Sequence, residues 1–250
     1  MKHRPFSLSI ALLACNEERS LAQVLEETLA FCRESLDDYE IIVVDDGSTD
    51  RTAKIAEEYA RQHAQVRLVR HDRNYGMGRG IRTGIREATK EFFLFNAADG
   101  QIPAAEIGKL LPLLEQADIA LSIYENRRET LARHVTSRAF RLYLRTVANV
   151  RFRLEGLYIF PSKPAKAMEP LILANTFFFS FELVQRGLER GLTVATTQMR
   201  CQPRAQGKSK VFRPKRIIEV GREAAAYGLR RWFYLGTDPH GGRNRPYGAA

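Results

Sequence analysis

The chain has 250 residues, 44% of them hydrophobic and 27% charged, with 39 Lys and Arg against 29 Asp and Glu. This excludes a disordered, collagen-like or disulfide-stapled chain, and the length suits one domain, or one domain with an appendage. The formal charge of +10 asks for an anionic partner: nucleic acid, a phosphate-bearing ligand or an acidic membrane surface.

Lys2, His3 and Arg4, followed by the apolar residues 6–14 and Cys15, look like a short lipoprotein-type export signal. Ser7 and Ser9 interrupt that run, and it leads into a patterned segment, so residues 7–14 are read as a buried strand. Leu21, Val24, Leu25 and Leu29 predict a helix. Residues 40–45 contain Ile-Ile-Val-Val, a strand buried on both faces. Residues 46–50 carry turn and cap chemistry and open a helix over 51–63. Residues 66–69 predict a third strand, and the glycine-rich stretch 74–84 passes into a helix ending near Lys90. A fourth strand covers 92–95, a helix runs from Pro103 to about Gln116, and a fifth strand covers 119–123.

The alternation of strand and helix predicts a parallel sheet covered on both faces. Such sheets bind ligands beyond the carboxyl ends of their strands. Polar clusters fall at three of those ends: after Ala14, at Asp45 and Asp46, and after Phe95. Their coincidence points to one shared site. The second half is less regular. It predicts a basic helix over 127–149, a strand over 156–160, a helix over 177–190 and a strand over 192–199. A basic loop over 204–210, a basic helix over 214–232 and a flexible tail from about Gly236 follow.

Cys15, Cys32 and Cys201 form no CxxC pair, which opposes structural zinc and fits a reducing cytosol. The five histidines show no metal-ligand spacing, and His71 reads as structural. No apolar run approaches the roughly 18–20 residues of a spanning helix. The glycines of 74–84 match neither a P-loop nor a dinucleotide-binding fingerprint, and read as close helix–sheet packing near a ligand.

Several segments match a known family in order and spacing. They are residues 14–18 (ACNEE), 44–50 (VDDGSTD), 74–78 (NYGMG), 99–101 (DGQ), Asn126-Arg127, Glu182-Leu183 and 204–210 (RAQGKSK). Over about residues 7–215 the sequence resembles family 2 glycosyltransferases of GT-A fold. The resemblance is strongest to the polyprenyl-phosphate, dolichol-phosphate mannosyltransferase-like branch. It implies an α/β fold with a mostly parallel central sheet, helices on both faces and a basic C-terminal helix. It divides the chain into a GT-A domain over 1–215, with a donor half to about 123 and an acceptor half from 124, then a basic amphipathic helix and tail over 216–250.

The resemblance also assigns residues. Ala14, Asn16, Glu17, Asp45, Asp46 and Gly76 would bind a GDP- or UDP-sugar donor, with Asp45 reading the base. Asp99 and Arg127 would be catalytic, and Asp99 with Gln101 would hold Mg²⁺ or Mn²⁺ on the donor diphosphate. Arg127, Arg204, Ser209 and Lys210 would bind the acceptor phosphate. The sequence departs from the family where the first carboxylate of its Asp-x-Asp motif is Ala97. Tyr124 replaces a common phosphate-binding arginine, Leu13 a proline, and Phe152 and Glu155 an Asp and a Cys.

The implied activity is transfer of a sugar to a polyprenyl phosphate, with inversion, by a peripheral protein at the cytoplasmic face of the cell membrane. Arg213, Lys215, Arg216, Arg230 and Arg231 would meet anionic headgroups, and Trp232, Phe233 and Tyr234 the interface. A solvated basic face packed on the domain accounts for the same C-terminal pattern. Two other functions stand beside the leading one: transfer to a soluble saccharide, and donor or lipid binding with weak catalysis because of Ala97. Nucleic-acid binding lacks a recognition motif and leaves the strand-end carboxylates unexplained.

Overall fold

The computed structural model describes residues 6–125, 131–202 and 214–234. Seven strands form one sheet: β1 (Ser7–Ala14), β2 (Asp38–Asp45), β3 (Val66–Arg70), β4 (Phe92–Ala97), β5 (Ile119–Tyr124), β6 (Tyr158–Pro161) and β7 (Val194–Met199). Their order is β3-β2-β1-β4-β6-β5-β7. β1 pairs parallel with β2 and β4, β2 with β3, and β5 with β7, while β6 runs antiparallel to both neighbours. The chain lays β2 and β3 on one side of β1 and then β4 on the other. The crevice between the carboxyl ends of β1 and β4 is therefore a topological switch point.

The strands separate two cores because successive residues face opposite sides. Leu8, Ile10 and Leu12 join α1 (Leu21–Ser35) and Ala56 of α2 (Thr52–Gln62) in the first core. Ala11 and Phe93 join Ile81 and Ile85 of α3 (Met77–Glu87) in the second. α3 lies close to the sheet: a Cβ on Gly84 would stand 2.7 Å from that of Ala11. α4 (Leu131–Val147), α5 (Ser162–Met168), α6 (Phe178–Glu189) and α7 (Pro214–Tyr234) complete the second half. α7 buries Val220, Ala224 and Tyr227 in the second core.

The expected helix after Pro103 is instead two 3₁₀ segments, Ala104–Lys109 and Leu111–Glu115. Pro112 is the cause, since it lacks an N–H and its ring clashes with the carbonyl four residues back. α5 and the 3₁₀ turn Glu169–Leu171 were not expected, because Pro164 and Pro170 punctuate a stretch without helical periodicity.

Glu40 of β2 ties β1, β3 and the loop between Glu87 and Phe92 to its own strand. Its Oε1 accepts hydrogen bonds from Ser9 Oγ (2.6 Å), Thr89 N (2.6 Å) and Thr89 Oγ1 (2.9 Å), and its Oε2 from Arg67 Nε (3.2 Å). Burial pushes its carboxyl pKa up, but these donors together outweigh burial and hold it below the usual value. A depressed folded pKa contributes stability above the unfolded value of about 4.3 and loses it as pH falls through the folded one. Glu40→Gln should cost about 2 kcal/mol near neutral pH. In urea titrations that difference should hold from neutrality down to the unfolded value of about 4.3 and shrink as pH falls below it through the folded one.

Candidate active site

The register brings the three polar clusters level. Ala14 pairs with Asp45 across β1 and β2, and Leu13 with Ala97 across β1 and β4. The loop after β1 then crosslinks its neighbours. Asn16 sits at φ +55, a left-handed conformation that asparagine tolerates. Its N–H donates to Ser48 Oγ (2.9 Å), and its Oδ1 accepts from Thr49 N (2.9 Å). Glu17 N donates to Thr52 Oγ1 (2.8 Å), and Ser20 Oγ to the Ala98 carbonyl (2.7 Å). Asp50 rather than Asp45 serves the start of α2, accepting from Thr52 N (2.9 Å).

The adjacent aspartates do different work. Asp45 is fully buried at the end of β2. Its Oδ1 accepts from Ser48 N (3.0 Å), but its Oδ2 has no hydrogen-bond donor among the described residues. Arg70 Nε lies 3.4 Å from that oxygen, close enough for charge attraction but not aligned as a hydrogen bond. A buried acceptor without a donor is costly.

Asp46 instead builds a loop. Its Oδ1 meets His71 Nδ1 (2.8 Å) and accepts from Tyr75 N (2.9 Å), and its Oδ2 accepts from Gly76 N (2.7 Å). His71 Nε2 reaches Thr83 Oγ1 (2.9 Å), which ties the loop to α3. Gly76 stands at φ +89 immediately before that helix. Tyr75, 40% exposed, has the guanidinium groups of Arg73 and Arg79 over its ring, 4.9 and 5.7 Å from the centroid. The sequence pattern pointed to the glycines of this stretch, but not to the two arginines on its rim.

α3 is also fastened from the second half. Gly78 N donates to the Asn175 carbonyl (3.1 Å), and a Cβ on Gly78 would overlap that carbonyl. Asn175 N donates in turn to Glu223 Oε1 of α7 (2.8 Å), and Thr176 N to Glu223 Oε2 (3.2 Å). Further along α3, Arg82 and Arg86 grip Glu169, which is 3% exposed. Arg82 also donates to the carbonyls of Glu169 (3.0 Å) and Ile172 (2.8 Å).

Beyond β4, Asp99 is buried, and its Oδ1 accepts from Gln101 N (3.1 Å) in a turn closed by Gly100 at φ +72. The Gln101 carbonyl accepts from Gln202 N (2.8 Å), which joins this turn to the segment after β7. Among the described residues no three His, Cys, Asp or Glu side chains gather as a metal site. One carboxylate and one amide do fit a cation that takes its other ligands from phosphate and water. Arg127, with Asn126, and Arg204, Ser209 and Lys210 lie outside the described residues. The strands that precede their segments are neighbours: Tyr124 of β5 pairs with Met199 of β7.

Comparison with known proteins accords with this architecture. Residues 9–167 match the glycosyl transferase family 2. An undecaprenyl-phosphate 4-deoxy-4-formamido-L-arabinose transferase of Pectobacterium carotovorum is 34% identical over 141 residues, 56% of this chain and 43% of that protein. Its counterpart in Pseudomonas paraeruginosa is 37% identical over 145 residues, 57% of this chain and 43% of that protein. The chain thus spans less than half the length of these curated relatives. Glucosyl-3-phosphoglycerate synthase of Mycobacterium tuberculosis, solved with UDP, superposes with a TM-score of 0.68 at 18% identity over 90% of this chain and 80% of that one. The same enzyme with Mn²⁺, UDP-glucose and phosphoglyceric acid gives 0.67 at 19% identity over 94% and 82%. The fold is that of GT-A glycosyltransferases, and the chain belongs to glycosyl transferase family 2.

Proposed function

We propose that this protein transfers a sugar from a GDP- or UDP-sugar to a polyprenyl phosphate, with inversion at the anomeric carbon. The observation that carries the donor half is Asp45, a buried carboxylate with one oxygen lacking a donor at the end of β2. An N–H on the edge of a nucleobase would satisfy that oxygen. Ala14, Asn16 and Glu17 flank the base and ribose, and Asp46 acts by holding Tyr75 and Gly76 in place. Asp99 and Gln101 would hold Mg²⁺ or Mn²⁺, which supplies positive charge to the departing nucleoside diphosphate.

The acceptor phosphate is already ionised, so no strong general base is needed. The protein's task is to orient the nucleophile in line and screen its charge. Arg127, Arg204, Ser209 and Lys210 are assigned to that phosphate, on segments that follow the paired ends of β5 and β7. A lipid acceptor places the protein peripherally at the cytoplasmic face of the cell membrane. No helix among the described residues is long and apolar enough to cross it. A second reading, binding of donor or lipid with little turnover, rests on Ala97.

A donor screen tests both halves. A UDP- or GDP-sugar should raise the melting temperature, more so with Mn²⁺, and label should pass from it into a lipid-extractable phosphate product. Donor binding without label transfer would favour the second reading. Failure of every sugar nucleotide to bind at millimolar concentration would remove the proposal. Asp45→Asn keeps the acceptor for Ser48 N but turns a donor towards the base. Donor affinity should fall by about 100-fold, while the unliganded variant melts within a few degrees of wild type.

A further inference from the structure

We propose that the outer face of the α4–α7 pair docks on an anionic lipid bilayer, with α7 lying in the plane of the interface. This deepens the lipid-acceptor reading and rests on it. The inner face of α7 fixes its rotation. Val220, Ala224 and Tyr227 are buried, and Arg231 Nε binds Glu189 Oε1 at 2.7 Å. Arg231 is therefore turned into the protein, and the headgroup role expected for it passes to other residues.

The opposite face carries Ile218 (62% exposed), Leu229 (59%) and Trp232 (75%). With Arg222 and Ala225 between them these positions advance by 4, 3, 4 and 3 residues, a single stripe on a 3.6-residue helix. Arg222, within the stripe, is exposed, and the stripe contains no acidic residue. α4 lies alongside, joined through Tyr143 Oη to the Gly221 carbonyl (2.8 Å) and through the close approach of Gly228 to Val147. On both helices these seam residues lie between the buried and the exposed face. Leu142, 62% exposed and flanked by exposed Arg138 and Arg145, therefore shares the outer side.

Charge selects the occupant. Apolar side chains interleaved with arginine suit insertion at the acyl boundary beneath anionic headgroups, and tryptophan suits that depth. A two-fold contact through the same face would set Arg222, Arg138 and Arg145 against the same basic residues of the second copy. Position in the chain agrees: α4 and α7 begin directly after 126–130 and 203–213, the segments that carry Arg127 and Arg204, Ser209 and Lys210.

Trp232 is the chain's only tryptophan, so its fluorescence reads the surface directly. The 250-residue chain should bind vesicles of phosphatidylcholine with phosphatidylglycerol, with a blue shift of Trp232 emission, and bind phosphatidylcholine alone more weakly. Affinity should fall with added salt. Leu229→Glu and Ile218→Ser should each weaken binding by about tenfold. They should spare transfer to a short, water-soluble polyprenyl phosphate and depress transfer to a long-chain acceptor in vesicles. Equal vesicle binding by wild type and folded variants would overturn the proposal. So would a blue shift that needs only protein concentration, which would mark a contact between copies. Vesicle binding through this face with no transfer to either acceptor would leave the surface standing and remove the catalytic reading.

Discussion

Asp99→Ala should lower turnover by about 10²–10³-fold, the loss typical of removing one electrostatic contact to charge that develops in the transition state. Asp99 stands where β4 ends in the switch-point crevice, and it is the carboxylate that remains where Ala97 replaces the other. Its Oδ1 also closes the turn through Gln101 N, so alanine alone would confound two roles. Asp99→Asn separates them, because an amide oxygen keeps the turn while the charge is lost. Both variants should fail to show the Mn²⁺-dependent part of the donor-induced thermal shift. Full turnover in Asp99→Asn would reduce Asp99 to a turn residue. Ala97→Asp supplies the reverse test: a second carboxylate should tighten Mn²⁺ binding by about tenfold or more, since affinity for hard cations follows ligand charge. Titration of water-proton relaxation with Mn²⁺ reads this without any turnover.

Glu169→Ala should destabilise the fold by about 3–5 kcal/mol. Glu169 is 3% exposed and takes Arg82 and Arg86, one helical turn apart on α3. Its loss leaves the Arg82 guanidinium buried beside the Ile172 carbonyl without a counter-charge. At about 2–4 °C per kcal/mol for a domain of this size, melting should fall by roughly 10 °C. Replacing the pair with apolar residues, Arg82→Met with Glu169→Leu, should recover much of that loss, because the cost comes from an orphaned charge. A double variant as unstable as Glu169→Ala would assign the loss to packing instead.

The donor half was legible because each of its elements has its own local signal. The Ile-Ile-Val-Val of β2, the turn residues at 46–50 and the helical spacing of α1 each identify their element without help from elsewhere. The 3₁₀ segments after Pro103 were legible only in part, since Pro112 interrupts a pattern that apolar spacing alone would extend. The antiparallel β6 depends on pairings with β4 and β5 far along the chain, which no local periodicity reports. The site divides in the same way. The strand-end positions of Asn16, Asp45 and Asp99 follow from the pattern. The division of labour between Asp45 and Asp46 depends on where Tyr75 and Gly76 fold back, and the grip of Arg82 on Glu169 joins residues 87 apart.

The contact of Gly78 with Asn175 has a consequence for how such proteins vary. A side chain at 78 cannot fit unless the backbone at 175 moves, and that backbone is held by Glu223. The three positions therefore form one constraint shared by the loop beside Asp46, the start of α6 and the C-terminal helix. Sequences that replace Gly78 should also remodel 173–176 and lose the acid at 223. Those that keep Gly78 are open to change on the outer face of α7 while its inner acid is retained.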